Sequence, residues 1–351
     1  MKSLADAGHS ATRCLMSRPV LSSLGCALLL ATAFYTVSAS GQAASTANRP
    51  PAKTAKWTGP RTPWGDPDLQ GTWNNGTITP LERPRAAGEK ELLSKQEEED
   101  LNAQSDSRAS ADNRPKDKDA DLALAYDQFW WDRGTSIGRT SLIIDPKDGR
   151  LPALTAEGQK QLDAQVAARR GRGEADSWID RPLQERCIMY HGVPPLPTGY
   201  NNNYEIVQAP GLVAILHEEI HEVRLIPLDG RPHVGASITQ WLGDSRGRWD
   251  GDTLVVETTN FREDAGFRFP VDARTLRIVE RFHRTAADAI DYQFTVENPS
   301  MYTRPWTATL PMRPTDGLIY EYACHEGNYS LPHVLEGHRA QEKEEAEKQR
   351  K

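Results

Sequence analysis

The chain has 351 residues, 38% hydrophobic and 26% charged, a balance that supports a sizeable soluble core and excludes collagen-like, coiled-coil and multi-pass membrane classes. Its formal net charge of −7 excludes a general electrostatic grip on nucleic acid. The length allows one large or two ordinary domains.

In chain order, Lys2, Arg13 and Arg18 precede an apolar run from Val20 to Val37, and the small residues Ala39 and Ala43 follow as cleavage positions. A basic flank, a short apolar stretch and small residues form the secretory pattern. Residues 1–43 are therefore expected to be a cleaved signal, and the mature protein periplasmic or secreted. Ser22, Ser23, Gly25 and Thr32 interrupt the run and make it a poor spanning helix, with an uncleaved anchor as the alternative. Cleavage removes Lys2, Arg13, Arg18 and Asp6, leaving the mature chain two charges more negative. Of the four cysteines, Cys14 and Cys26 leave with the signal. Cys187 and Cys324 remain, and two thiols in an oxidising compartment are expected to pair. Two separate buried thiols are the alternative.

Residues 44–66, rich in Ala, Thr, Pro and Lys, read as a flexible linker. A single β-rich domain is expected over 67–335, carrying an insertion at 85–180. Gly71-Thr72-Trp73 suits a first strand. Ser94 with Glu97 makes a capping box, predicting a short helix from Leu92 to Ala103. Ser105 to Asp121 is charged and poor in apolar residues, as in a loop. Tyr126, Phe129, Trp130 and Trp131 form an aromatic cluster that must bury or cover something. Thr155 caps a predicted helix running to Arg170, with Leu162 and Val166 on one face.

From Tyr204 onward the pattern changes to short, evenly spaced strands. They are expected at Tyr204–Gln208, Val213–Leu216, His221–Leu228, Gly247–Trp249, Asp252–Asn260, Leu276–Arg284, Ala289–Glu297, Trp306–Met312 and Ile319–Ala323. Asp250-Gly251 is a two-residue hairpin signal. No long helices separate these runs, so parallel crossovers are not expected. The predicted fold is mainly β: an antiparallel meander closed into a lipocalin-like barrel, or folded into a sandwich, with a helical and loop insertion near the N-terminus. The tail 336–351 is nearly all charged and reads as a solvated helix or disorder.

Several segments are distinctive: YNNNY at 200–204, LDGRPH at 228–233, GDSRGRWDGDTLVVETTNF at 243–261 and YEYACHEGNY at 320–329. With TPWGDPDLQGTW at 62–73 and RTSLIIDPKDGRLPALT at 139–155, they resemble a large family of secreted, uncharacterised bacterial proteins. The likeness covers residues 60–330. It implies export and carries no activity, ligand or catalytic residue with it. The G-x-W opening also resembles the first strand of lipocalin-type barrels.

Four groups of residues could carry chemistry. His217-Glu218-Glu219-Ile220-His221 matches H-E-x-x-H, which on a helix holds zinc between two histidines with the Glu as base. The β-branched flanks and Pro227 favour instead two strands around a turn at His217–Glu219. Gly243-Asp244-Ser245-Arg246-Gly247 matches G-x-S-x-G, but a nucleophile elbow needs a helix after it, and a hairpin follows. His325 and Glu326, beside Tyr322 and Cys324, form the densest polar-aromatic cluster. A bridge to Cys187 would bring Tyr190-His191 near, with Asn201, Asn202, Asn203 and Tyr204 following. His and Glu there could do acid–base work, and Tyr and Asn could polarise a carbonyl. The bland alternative is a polar plug at a barrel end. His221, Arg224, Arg231 and His233 could bind a carboxylate or phosphate. A buried Glu280 would need a partner or a raised pKa. Trp306 would line an interior or belong to the core.

These readings point to a small-molecule enzyme, a hydrolase, lyase or isomerase working without an organic cofactor. His325, Glu326, Tyr322, His221 and Arg224 are its candidate catalytic residues. Asn201, Asn202, Asn203, Tyr204, Arg231, His233 and Trp306 are the candidate binding residues. The alternatives are a non-catalytic binding barrel and a zinc-dependent hydrolase using His217 and His221. The expected partner is a small organic molecule, with no nucleic acid and, after signal cleavage, no membrane. No oligomeric state follows from the sequence.

Overall fold

A computed structural model of the chain describes residues 57–109, 116–117, 131–190, 192–220 and 222–350. The expected signal, most of the linker, Tyr126, Phe129, Trp130, His191 and His221 lie outside the described residues.

The protein is mainly β, built from two antiparallel sheets. The first orders its strands β11 (Arg313–Pro314), β1 (Gly71–Asn74), β3 (Asn203–Ala209), β4 (Leu212–His217) and β5 (Val223–Pro227). The second runs β2 (Ile143–Asp145), β10 (Trp306–Thr309), β9 (Ala289–Glu297), β8 (Arg277–Ala286), β7 (Thr253–Thr259) and β6 (Asp244–Asp250). Apart from β1, β2 and β11, each strand pairs with its neighbour in sequence, which is the predicted meander. Ile290 and Met312 exchange two backbone hydrogen bonds of 3.1 and 2.8 Å, stitching β9 to the residue before β11.

Period-two alternation places one face of each strand inside. On β9, Ile290, Tyr292, Phe294 and Val296 are buried while their neighbours are partly exposed. Trp306 packs edge-on against Phe269, ring centroids 4.9 Å apart, and lies 5.7 Å from Phe294. The same alternation carries polar residues inward: His217 on β4, Arg224 on β5, Thr258 on β7 and Glu280 on β8. The site is built from this polar part of the interior.

The helices follow their caps. The helix α1 (Lys95–Ala109) starts at the predicted capping box: Glu97 N–H donates to Ser94 Oγ (3.3 Å) and Ser94 N–H to Glu97 Oε2 (2.7 Å). It begins three residues later than expected and runs on through Ser105–Ala109, part of the stretch expected to be a loop. Ser105–Ala109 contains neither Gly nor Pro to stop a helix. Thr155 caps α2 (Ala156–Arg169), its Oγ1 accepting from Gly158 N–H at 2.9 Å. The expected packing face is not the buried one, for Val166 is 56% exposed. Gly158 makes the contact instead: a Cβ there would lie 2.4 Å from Met301 O. The tail belongs to a solvated helix, α3 (Ser330–Gln349), with no buried residue.

Three strand expectations are corrected. Ile319–Ala323 is not a strand; Leu318 and Tyr320 are each 79% exposed, so the segment has no inward face to bury. The strand expected over Trp306–Met312 ends at Thr309, and the insertion supplies it with a partner, β2. The hairpin turn between β6 and β7 falls at Gly251-Asp252, one residue later than expected, with Gly251 at φ +62°.

Cys187 and Cys324 form the expected disulfide, with Cα atoms 5.7 Å apart. Among the described residues, no helix is long and apolar enough to cross a membrane.

Candidate functional site

The site is centred on the turn between β4 and β5. The helix that H-E-x-x-H requires does not form: β4 ends at His217, and Glu218, Glu219 and Ile220 turn the chain toward β5 at Val223. Ile220 sits at φ +60°, a left-handed conformation that a β-branched residue adopts only when its surroundings hold it there, at a cost of about 1–3 kcal/mol. Asn201 (φ +57°) and Cys187 (φ +54°) share that conformation, on two other segments that meet this turn. Asn201 reaches Glu219, and Cys187 is bridged to the segment carrying Tyr322.

Glu219 is only 3% exposed. The Asn201 amide and the Tyr322 hydroxyl donate to its carboxylate, while its Oε2 has no hydrogen-bond partner among the described residues. Burial dominates and pushes its pKa up to about 7, against the lowering effect of those two donors; the nearby Glu222 and Glu218 charges push the same way as burial. Glu222 is placed differently. Its Oε2 lies 2.7 Å from His217 Nδ1, and its carboxylate accepts the backbone N–H groups of Tyr190 and Gly192. The His217 ring meets Tyr204 edge-on at 4.7 Å. Glu222 is thus tied to fixed donors, whereas one oxygen of Glu219 has no hydrogen-bond partner among the described residues.

A depression of about 300 Å³ opens over this turn, lined by His217, Glu218, Ile220, Tyr322, His325 and Glu326. On another side, Tyr190 lines a larger cleft of about 1080 Å³. Its ring stacks on Tyr200 with centroids 6.4 Å apart. Tyr200 in turn lies 6.1 Å from Trp131, over which Arg133 sits at 3.9 Å. Burial raises the Tyr190 phenol, and the Glu219 charge adds to the effect.

A second polar group lies deeper. Arg224 grips Glu280 with two bonds, Nη1 to Oε1 at 3.0 Å and Nη2 to Oε2 at 2.6 Å. The Tyr292 hydroxyl donates to Glu280 Oε1 at 2.8 Å. Ser245 and Thr258, 2.9 Å apart, complete the cluster, with Ser245 Oγ 3.3 Å from Arg224. Burial works against the Arg224 charge, but Glu280 outweighs it and the pKa is raised. Burial and Glu280 together raise the Tyr292 phenol well above its ordinary value. Glu280 therefore has the partner that its inward position demanded.

The candidate residues fall into separate places. Tyr322, His325 and Glu326 line the smaller depression, and Tyr322 and Asn201 meet the buried Glu219, which does not itself line it. Asn203 joins them through Glu218, to which it donates at 2.7 Å. Asn202 is buried and holds backbone, donating to Asp132 O (2.6 Å) and accepting from Thr198 N–H (2.8 Å). Tyr204 faces His217 in the interior, Arg224 is bound to Glu280, and Trp306 belongs to the aromatic core. Arg231 is exposed and paired with Asp229 (2.6 Å). His233 lies between Asp244 (2.8 Å) and Glu257 (3.5 Å). His221 lies outside the described residues. Ser245 of the G-x-S-x-G match is on β6, with no helix after it. Glu219 and Glu222 were not singled out as acid–base groups in the sequence. The signal for them was the acidic pair in a turn flanked by two apolar strands. Comparisons with protein-family models, with curated proteins and with solved structures find no match.

Proposed function

We propose that the protein is an exported enzyme that moves a proton on a small organic molecule, without an organic cofactor, using Glu219 as the acid–base group. The observation that carries this reading is a buried carboxyl poised near pH 7 with one oxygen unengaged. Such a group is half ionised at neutral pH, where a general base or acid works best. The Tyr322 hydroxyl and the Asn201 amide orient it. His325 and Glu326 stand at the rim, where they contact a substrate entering the depression. Elimination and isomerisation suit one poised carboxyl, and hydrolysis suits it with a bound water. The disulfide supports export, since such bonds persist in oxidising compartments. The Ile290–Met312 stitch supports reading the two sheets as walls of one closed barrel.

Nitrobenzisoxazole is a direct probe, because a carboxylate takes its ring C–H proton as the N–O bond opens to a coloured cyanophenolate. Saturable turnover is expected, rising with pH to a plateau above about 7. Glu219→Gln should lower it about a hundredfold or more while leaving the fold intact. His325→Ala, which removes an exposed rim group, should weaken it less. A wild-type rate no faster than free acetate, or full activity in Glu219→Gln, would contradict the reading.

A further inference from the structure

The helix α3 buries no side chain fully; Leu331, Leu335 and His338 are half-buried, and polar contacts add to how it sits. Arg339 donates to the carbonyls of Asp176 and Ala175, both at 3.2 Å, tying α3 to the loop that follows α2. His338 and Glu342, four residues apart, share one helix face. His338 Nε2 lies 3.2 Å from Asp176 Oδ1 and 3.6 Å from Glu342 Oε1, and the three ligand atoms all fall within 4.8 Å of one another.

Zinc binds imidazole nitrogen and carboxylate oxygen at about 2.0–2.2 Å in a tetrahedron, which sets ligand atoms roughly 3.3–3.6 Å apart. Of the two distances from His338, 3.6 Å lies at the top of that spacing and 3.2 Å just below it. Two further features prepare the site. Gly173 N–H donates to Asp176 Oδ2 at 2.7 Å, fixing the carboxylate with Oδ1 toward His338, as outer hydrogen bonds do for metal ligands. Gly173 also leaves the approach open, because a Cβ there would lie 2.7 Å from Asp176 Oδ1 and 3.6 Å from His338 Nε2. We infer that Asp176, His338 and Glu342 form a binding site for a divalent transition-metal ion, with zinc as the reference ion and solvent in the fourth position. One imidazole with two carboxylates suits zinc and its neighbours better than calcium or magnesium, which take mostly oxygen ligands. Arg339 Nη2 lies 3.0 Å from the same Glu342 oxygen, so metal and guanidinium compete for it. The site therefore binds less tightly than a closed four-ligand structural centre. Arg172, Gly173, Glu174 and Asp180 of the same loop line the 1080 Å³ cleft. A bound ion would fix α3 against that wall.

The test uses the untagged mature chain, stripped of metal and dialysed against zinc in the micromolar range. About one zinc per chain is expected, with a rise in the unfolding midpoint. His338→Ala and Asp176→Asn should each weaken binding about tenfold or more and abolish the midpoint shift. His333→Ala, on the same helix and outside the triad, should bind as wild type does. Zinc held equally well by His338→Ala would place the ion elsewhere and overturn the inference. Absence of zinc binding by the wild-type chain would overturn it too.

Discussion

Two carboxylates in one short turn, Glu219 and Glu222, differ because of what touches them. Glu222 accepts from backbone N–H groups and sits on His217, while Glu219 meets two side-chain donors and is otherwise desolvated. A carboxyl whose pKa rises from about 4.5 unfolded to about 7 folded holds its proton longer in the native state. The native state then binds more protons than the unfolded state between those values, so stability is lost as pH rises through that window. Glu219→Gln should remove this slope and raise stability above pH 7 by on the order of 2–3 kcal/mol, read from urea unfolding at pH 5 and pH 8. An unchanged pH dependence would show that the carboxyl is not shifted. Glu280 gives the opposite result on substitution. Glu280→Ala leaves the Arg224 guanidinium buried without its counter-charge and should cost about 3–5 kcal/mol. Replacing both partners by apolar residues of similar volume should cost far less, and equal costs in the single and double variants would count against this account.

At the scale of elements, local chemistry decided most of what was readable. Ser94 with Glu97, and Thr155, marked helix starts because a cap is a one-turn event. Strands β3, β4, β5 and β9 were readable from alternation, since each has a single buried face, whereas β7 buries Leu254, Val255 and Val256 in a row. The segment Ile319–Ala323 has the same composition, yet Tyr320 and Tyr322 point to solvent or to Glu219, and alternation alone does not say whether a second layer exists to receive them. The pairing of β1 with β11 and of β2 with β10 joins residues far apart in the chain, which no local pattern encodes. For the site, Tyr322, His325, Glu326 and Asn201 were legible as a polar cluster linked through a disulfide. Glu219 was not, because its burial depends on three segments meeting. Thr155→Ala should cost about 1 kcal/mol through loss of the cap on Gly158 N–H. Gly158→Ala should cost about 1–3 kcal/mol by forcing α2 away from Met301, seen as a fall in the unfolding midpoint.

Across the whole molecule, the disulfide closes a loop whose ends are 137 residues apart in sequence, and joins the exposed segment bearing Tyr322 to the body of the protein. Loop-closure entropy of that length amounts to about 5 kcal/mol. Reduction, or Cys187→Ser with Cys324→Ser, should lower stability by several kcal/mol. It should also free Tyr322 from Glu219 and so impair turnover of the probe before the fold is lost. Stability and turnover falling together, at one concentration of reductant, would contradict that order of events. Catalysis at this site requires Glu219 to be protonated and deprotonated near neutral pH. That is measured by carbon NMR of the chain labelled at glutamate side-chain carboxyls, titrated with pH, with the Glu219 resonance assigned by its absence in Glu219→Gln. A midpoint near 7 is predicted. A midpoint between about 4 and 5, the ordinary glutamate range, would leave Glu219 fully ionised at neutral pH and contradict its role.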